Sequence, residues 1–238
     1  MVAAVVAATC IRLGFWQLDR LHGRKDANAA IAGAEAMPPR PLPELVAGTT
    51  DPSSLRFRPA VASGTYDPAH EVLLYGRSSR EEVAGDQVLT PLRLTDGTAI
   101  LVDRGWIPID QDVPVTGEAA APTGNVTVTG VLFPPDAISS APPPASERVT
   151  RVDLGQIGAG LPYPILPVYL LLQQQAPPQP GALPEAPPLP SLDNGPHLSY
   201  AVQWFSFAAI ALIGYVVLLR RDRRDAVAPI VAAPGEET

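Results

Sequence analysis

The chain has 238 residues, 46% of them hydrophobic, with 17 basic and 24 acidic side chains and a formal net charge of −7. Most of the acids fall between Asp26 and Asp193, which excludes an ordinary nucleic-acid binder, because that section would repel phosphate. A single cysteine, Cys10, excludes an internal disulfide framework and a Cys-x-x-Cys site, and with two methionines the chain lacks the soft sulfur ligands of a copper carrier.

Residues 1–11 are apolar, Arg12 interrupts, and Leu13-Gly14-Phe15-Trp16-Gln17-Leu18 follows. Eleven residues make roughly 16 Å of helix, about half a bilayer core. No basic residue precedes Arg12, which argues against a signal peptide. The expected element over 1–25 is therefore the outer part of a membrane helix that begins upstream of Met1. Trp16 would sit in the interfacial aromatic belt, with Arg20, Arg24 and Lys25 just beyond it. Residues 26–55 read as a short alanine-rich surface helix and a Pro-rich connector, since Pro38-Pro39-Arg40-Pro41 stops a helix.

From Arg56 the pattern turns to strands. Segments 58–66, 71–75, 87–94, 98–106, 125–133, 148–154 and 168–173 are short and apolar, with turn residues between them. Thr95-Asp96-Gly97-Thr98 suits a two-residue type I′ hairpin. In 125–133, Val126, Val128, Gly130 and Leu132 alternate with Thr127, Thr129 and Val131, as in a half-buried strand. This number of short strands predicts an antiparallel β-rich domain over 56–176, a sandwich or small barrel. The stretches 134–144 and 177–196 are Pro-rich loops, the second a return linker.

Residues 198–219 form an uninterrupted apolar run, roughly 33 Å as a helix and enough to span a bilayer core of about 30 Å. Pro196 fits the first helical turn. The four arginines in 220–224 place the 220–238 tail in the cytoplasm by the positive-inside rule. The layout is two transmembrane helices, 1–25 and 197–219, flanking an extracytoplasmic β domain. His197 stands at the outer end of the second helix, with Ala201 and Trp204 following on one face. A helix N-terminus disfavours a cation, and a neutral imidazole is a metal ligand; the alternative is an interfacial histidine contacting head groups. Gln203 and Ser206, polar inside the span, are expected to face the other helix. The sequence contains no Gly-x-Ser-x-Gly, His-Glu-x-x-His or Walker pattern, and its three histidines are too few and too scattered for a catalytic zinc site with three protein ligands unless carboxylates contribute. The expectation is a protein that is not an enzyme.

Three stretches, taken in order and spacing, carry a family pattern. They are Leu13-Gly14-Phe15-Trp16-Gln17-Leu18-Asp19-Arg20; Val88-Leu89-Thr90-Pro91-Leu92 followed by Val102-Asp103-Arg104-Gly105-Trp106-Ile107-Pro108; and His197-Leu198-Ser199-Tyr200-Ala201-Val202-Gln203-Trp204-Phe205. Together they resemble the surfeit locus family of cytochrome c oxidase assembly proteins. The chain departs from the pattern at Asp103, where the family usually has asparagine, and at His22-Gly23-Arg24-Lys25, where it usually has a Trp-Lys pair. The resemblance implies a multi-pass protein of a bacterial plasma membrane that helps heme A reach the catalytic subunit of a heme–copper oxidase. It implies that subunit and heme A synthase as partners, besides membrane lipid, and His197 as the heme iron ligand. The alternative is a structural accessory docked on the oxidase or its supercomplex without touching heme.

The remaining site candidates are Tyr200, Trp204, Arg104 and Trp106. Trp106 would stack on a porphyrin while Arg104 pairs a propionate. In the other reading Gly105 makes a bulge, Trp106 fills the core and Arg104 caps a loop carboxylate such as Asp103 or Asp110. Tyr200 and Trp204 read equally as interfacial anchors. His22 is a second axial ligand or a solvated side chain, and His70 a surface residue.

Overall fold

The computed structural model describes residues 2–79, 81–109 and 111–227. The chain divides into two compact units, Met1–Ala30 with Leu192–Thr238, and Ile31–Ser191.

The first unit is a pair of long helices, α1 (Val2–Glu35) and α4 (His197–Val227). Both are long and apolar enough, by length and composition, to cross a membrane. α1 runs through Arg12 without a break, and its apolar character resumes after it. The alanine-rich segment continues α1 without a stop as far as Glu35. Arg220–Arg223 are helical residues of α4, and residues 228–238 of the expected tail lie outside the described residues.

The second unit is a mixed β-sheet. Its strands are β1 (Arg40–Pro41), β2 (Pro59–Tyr66), β3 (Val72–Ser78), β4 (Ala84–Leu94), β5 (Ala99–Pro108), β6 (Asn125–Phe133), β7 (Arg148–Val149) and β8 (Ile165–Ala176). Two short helices, α2 (Leu42–Ala47) and α3 (Leu154–Gly158), accompany them. The order is β1-β2-β6-β8-β5-β4-β3-β7, and β2 also pairs with β4. The pairing therefore runs from β2 through β6, β8, β5 and β4 back to β2. The sheet is not purely antiparallel as expected: β8 enters between β6 and β5, antiparallel to the first and parallel to the second. β1–β2 and β3–β7 are parallel as well.

The largest apolar cluster lies among β2, β4, β5, β6 and β8, with Leu92, Ile100, Val102, Val126, Val128, Leu132, Val168 and Leu170 all fully buried. Alternation along β6 delivers Val126, Val128 and Leu132 to it. A second cluster packs α3 residues Leu154 and Ile157 on Leu89 and Leu101. The 95–98 turn differs from the expected two-residue form. Leu94 N–H donates to the Thr98 carbonyl, Asp96 Oδ1 accepts from Thr98 N–H, and only Gly97 takes a positive φ, of 86°. A type I′ turn needs two such residues. The Pro-rich 177–191 segment is fastened to the sheet, since Glu185 and Trp106 exchange both backbone hydrogen bonds at 2.8 Å.

Candidate functional site

In the helix pair, α1 buries Ala7, Cys10, Gly14, Gln17 and Leu21, a 3-4-3-4 spacing that makes one stripe along a helix. From α4, Ala201 and Ala208 are buried. Gly14 is required by closeness: a Cβ there would come within 2.6 Å of the Phe205 ring. Phe205 also meets Phe15 edge-on, with centroids 5.4 Å apart.

Gln17 is the polar member of the stripe and is 9% exposed. Its Oε1 lies 2.9 Å from His197 Nδ1. An amide oxygen can only accept, so Nδ1 carries a proton, and in the neutral ring Nε2 is the nitrogen with the lone pair. The chain enters α4 through Gly195, at φ 69°, and Pro196, whose carbonyl accepts from Ser199 Oγ at 2.7 Å. A Cβ at Gly195 would stand 3.4 Å from His197 Nε2, so the glycine keeps the free nitrogen uncrowded. A cavity of about 720 Å³ opens here, lined by Asp19, Arg20, Gly23, Arg24, Gly195, Pro196 and His197. Its rim is tied together by Arg24 and Asn28, which donate to the Asp193 and Leu192 carbonyls. One imidazole, two guanidinium groups and the Asp19 carboxylate thus share a cavity. That donor set fits a ligand with a metal centre and carboxylate arms.

Tyr200 is 47% exposed and Trp204 half-buried against Phe207 at 5.9 Å, and neither lines the cavity. His22 is exposed and also outside it. Gln203 and Ser206 are exposed rather than turned to α1. Ser206 satisfies itself by donating to the Val202 carbonyl at 2.8 Å, so it needs no partner helix.

Arg104 and Trp106 belong to the sheet unit. Val88 pairs with Gly105 and Leu89 with Asp103, so Arg104 is the extra residue of a bulge in β5. Gly105 takes φ 123°, and a Cβ on it would meet the Glu185 carbonyl oxygen at 2.0 Å. The bulge points Arg104 inward, where it is 2% exposed; it does not present a guanidinium to a surface ligand. Its carboxylate partner among the described residues is not Asp103, and Asp110 lies outside the described residues. Nη1 donates to Glu71 Oε1 at 3.0 Å, and Nη2 to the Ala119 carbonyl and Gln179 Oε1 at 2.7 and 3.0 Å. Glu71 also accepts from Thr90 Oγ1 and Val115 N–H. Burial pushes the guanidinium pKa down, opposed by the Glu71 carboxylate. Trp106 is half-buried, and its indole packs over Gly85 rather than filling the core. Asp103, 2% exposed, accepts the Gly105 N–H at 3.1 Å, its one hydrogen bond among the described residues. Burial pushes its carboxyl up to about 7, with that hydrogen bond and the Arg77 charge opposing.

Two important residues were not singled out by sequence reasoning. Gln17 was visible as a polar residue in an apolar helix. Glu71 stands at the head of the apolar 71–75 segment; the signal for it is Arg104, an arginine in an apolar strand that demands a carboxylate. His70 is not a plain surface residue: its Nδ1 and the Tyr163 hydroxyl both bond Asp67 Oδ2, at 2.9 and 2.7 Å.

Residues 4–209 match the SURF1 family. An uncharacterized SURF1-like protein of Mycobacterium tuberculosis is 30% identical over 227 residues, 90% of this chain and 81% of the relative. A SURF1-like protein of Monosiga brevicollis is 28% identical over 222 residues, 88% and 83% of the two chains. Surfeit locus protein 1 of Homo sapiens is 27% identical over 146 residues, 55% and 48%. With this match along most of its length, the chain belongs to the SURF1 family, which is involved in cytochrome c oxidase assembly.

Proposed function

We propose that this protein is a membrane-inserted assembly factor that holds heme A at the His197 cavity for the catalytic subunit of a heme–copper oxidase. The observation that carries this reading is the 2.9 Å bond between His197 Nδ1 and Gln17 Oε1. It fixes the imidazole tautomer that leaves Nε2 able to bind iron, as a bond to the other ring nitrogen does for metal-ligating histidines. Arg20 and Arg24 line the same cavity and are the groups that would pair the propionates. Heme A is cargo here, and its iron supplies the bond to Nε2. The chain's own part is to hold the ring, keep Nε2 uncrowded through Gly195, and offer cationic partners at the rim.

In this reading α1 and α4 cross a bacterial plasma membrane, with the sheet unit outside and the arginines after Leu219 in the cytoplasm. The cycle of pairings from β2 back to β2 supports reading the outer domain as a small barrel. No catalytic step is assigned to the chain. Heme A synthase is the natural donor and the oxidase catalytic subunit the acceptor. The test is complementation of a strain lacking this protein. His197→Ala and Gln17→Leu should insert at wild-type abundance yet yield oxidase with a several-fold lower heme A content. Oxidase loaded to the wild-type level by both variants would remove the heme reading and leave docking on the oxidase as the function.

A further inference from the structure

Arg12 interrupts the apolar part of α1, and among the described residues it has no hydrogen-bond or ion-pair partner. It does not lie on the stripe that packs on α4. It lies on another face, with Ala8, Ile11, Phe15, Trp16 and Asp19, which line a shallow cavity of about 590 Å³. Apart from the edge of Phe15 that meets Phe205 and the Arg20 guanidinium over the Trp16 ring, this face is open: Ile11, Phe15 and Trp16 are 38%, 58% and 49% exposed, and Arg12 is exposed. The spacing 8, 11, 12, 15, 16, 19 is that of a helix-packing seam.

The inference rests on the reading of α1 as a membrane span. Gln17 and His197 mark the outer level of the pair, and Arg12 lies five residues deeper, about 7.5 Å along the axis. A helical side chain leans toward its N-terminus, here away from that outer level. The opposite end of the described helix, Val2, is ten residues off, about 15 Å and beyond an arginine's reach. Escape to water is therefore poor at both ends. A charged side chain at such depth faces a bundle interior or a water-filled cavity and pairs with an opposite charge or with backbone carbonyls; an opposite charge is the partner that neutralises it. Asp19 is seven residues from Arg12, about 10 Å along the axis, and makes no ion pair with it.

We infer that this face of α1 docks a transmembrane helix of another protein, one that sets an aspartate or glutamate opposite Arg12 and an apolar surface against Ile11, Phe15 and Trp16. Charge complementarity selects the occupant: lipid tails satisfy the apolar residues but leave the guanidinium bare.

The test uses the full chain in its native membranes with a photo-crosslinking phenylalanine at Ile11. Mass spectrometry identifies the captured peptide. The expected peptide is an apolar segment holding an acid. Capture should fall at least tenfold in Arg12→Glu, persist in Arg12→Lys, and return when the partner's acid is changed to lysine in the Arg12→Glu background. Crosslinks to lipid alone, to this chain itself, to a segment without an acid, or equally strong in Arg12→Glu would overturn the inference. An acid-bearing helix outside the oxidase would keep this inference and count against the proposed partner.

Discussion

Asp103 allows a stability prediction to be worked through with its sign. The carboxyl is enclosed and, among the described residues, accepts one hydrogen bond, from Gly105 N–H. Its pKa is raised from an ordinary 3.8 to about 7 in the folded chain, mainly by burial. Below about pH 4 the group is protonated in both states and has no effect. Between about pH 4 and 7 the unfolded chain releases the proton while the folded chain keeps it, so stability falls as pH rises. Above about pH 7 the loss is complete. Three units at 1.36 kcal/mol each put it at up to about 4 kcal/mol. Asp103→Asn keeps an oxygen for the Gly105 N–H and has no charge to bury, but it adds an NH₂ that needs an acceptor, costing about 1–3 kcal/mol if none is found. The expected net is a gain of roughly 1–3 kcal/mol at pH 8. At about 2–4 °C per kcal/mol, that is a Tm several degrees higher. At pH 4.5 the advantage should vanish or reverse. Thermal unfolding of wild type and variant between pH 4.5 and 8 measures this, and Tm curves running parallel across that range would refute the reasoning.

Removing the carboxylate in Glu71→Ala strands a buried guanidinium and should destabilise the sheet unit by about 3–5 kcal/mol; near-wild-type denaturant unfolding would contradict the ion-pair assignment. Gly105→Ala should loosen the 177–191 segment from the sheet, because its Cβ would meet the Glu185 carbonyl, and limited proteolysis should then cut near Pro184 in the variant first. Gly14→Leu should force the helices apart at Phe205 and lose about 1–3 kcal/mol of packing, which a cysteine-crosslinking yield between α1 and α4 would report; an unchanged yield would refute the contact. Reporter fusions should be active outside near Pro178 and in the cytoplasm after Thr238, and the reverse would overturn the orientation.

Local pattern made much of the architecture legible. The alternation of 125–133 gave β6 its bounds, and the apolar run before Arg220 marked α4. The pairing of β8 between β5 and β6 was not legible, because strand order is set by contacts between segments far apart in sequence. Arg12 does not end α1, because one charge does not break a helix. At the site, His197 was readable from its position at a helix start, whereas its bond to Gln17 depends on how two distant helices turn toward each other. Arg104 and Trp106 look like surface chemistry in one dimension; the bulge at Gly105 turns the first into the core and lays the second over Gly85.

The most direct test is the visible absorption spectrum of the full chain purified after coexpression with heme A synthesis. Wild type should carry a heme A spectrum. His197→Ala should lose it, and Gln17→Leu, which frees the imidazole to change tautomer, should weaken it and shift its bands while leaving abundance unchanged. A full, unshifted spectrum in both variants would contradict the assignment of His197 as the iron ligand.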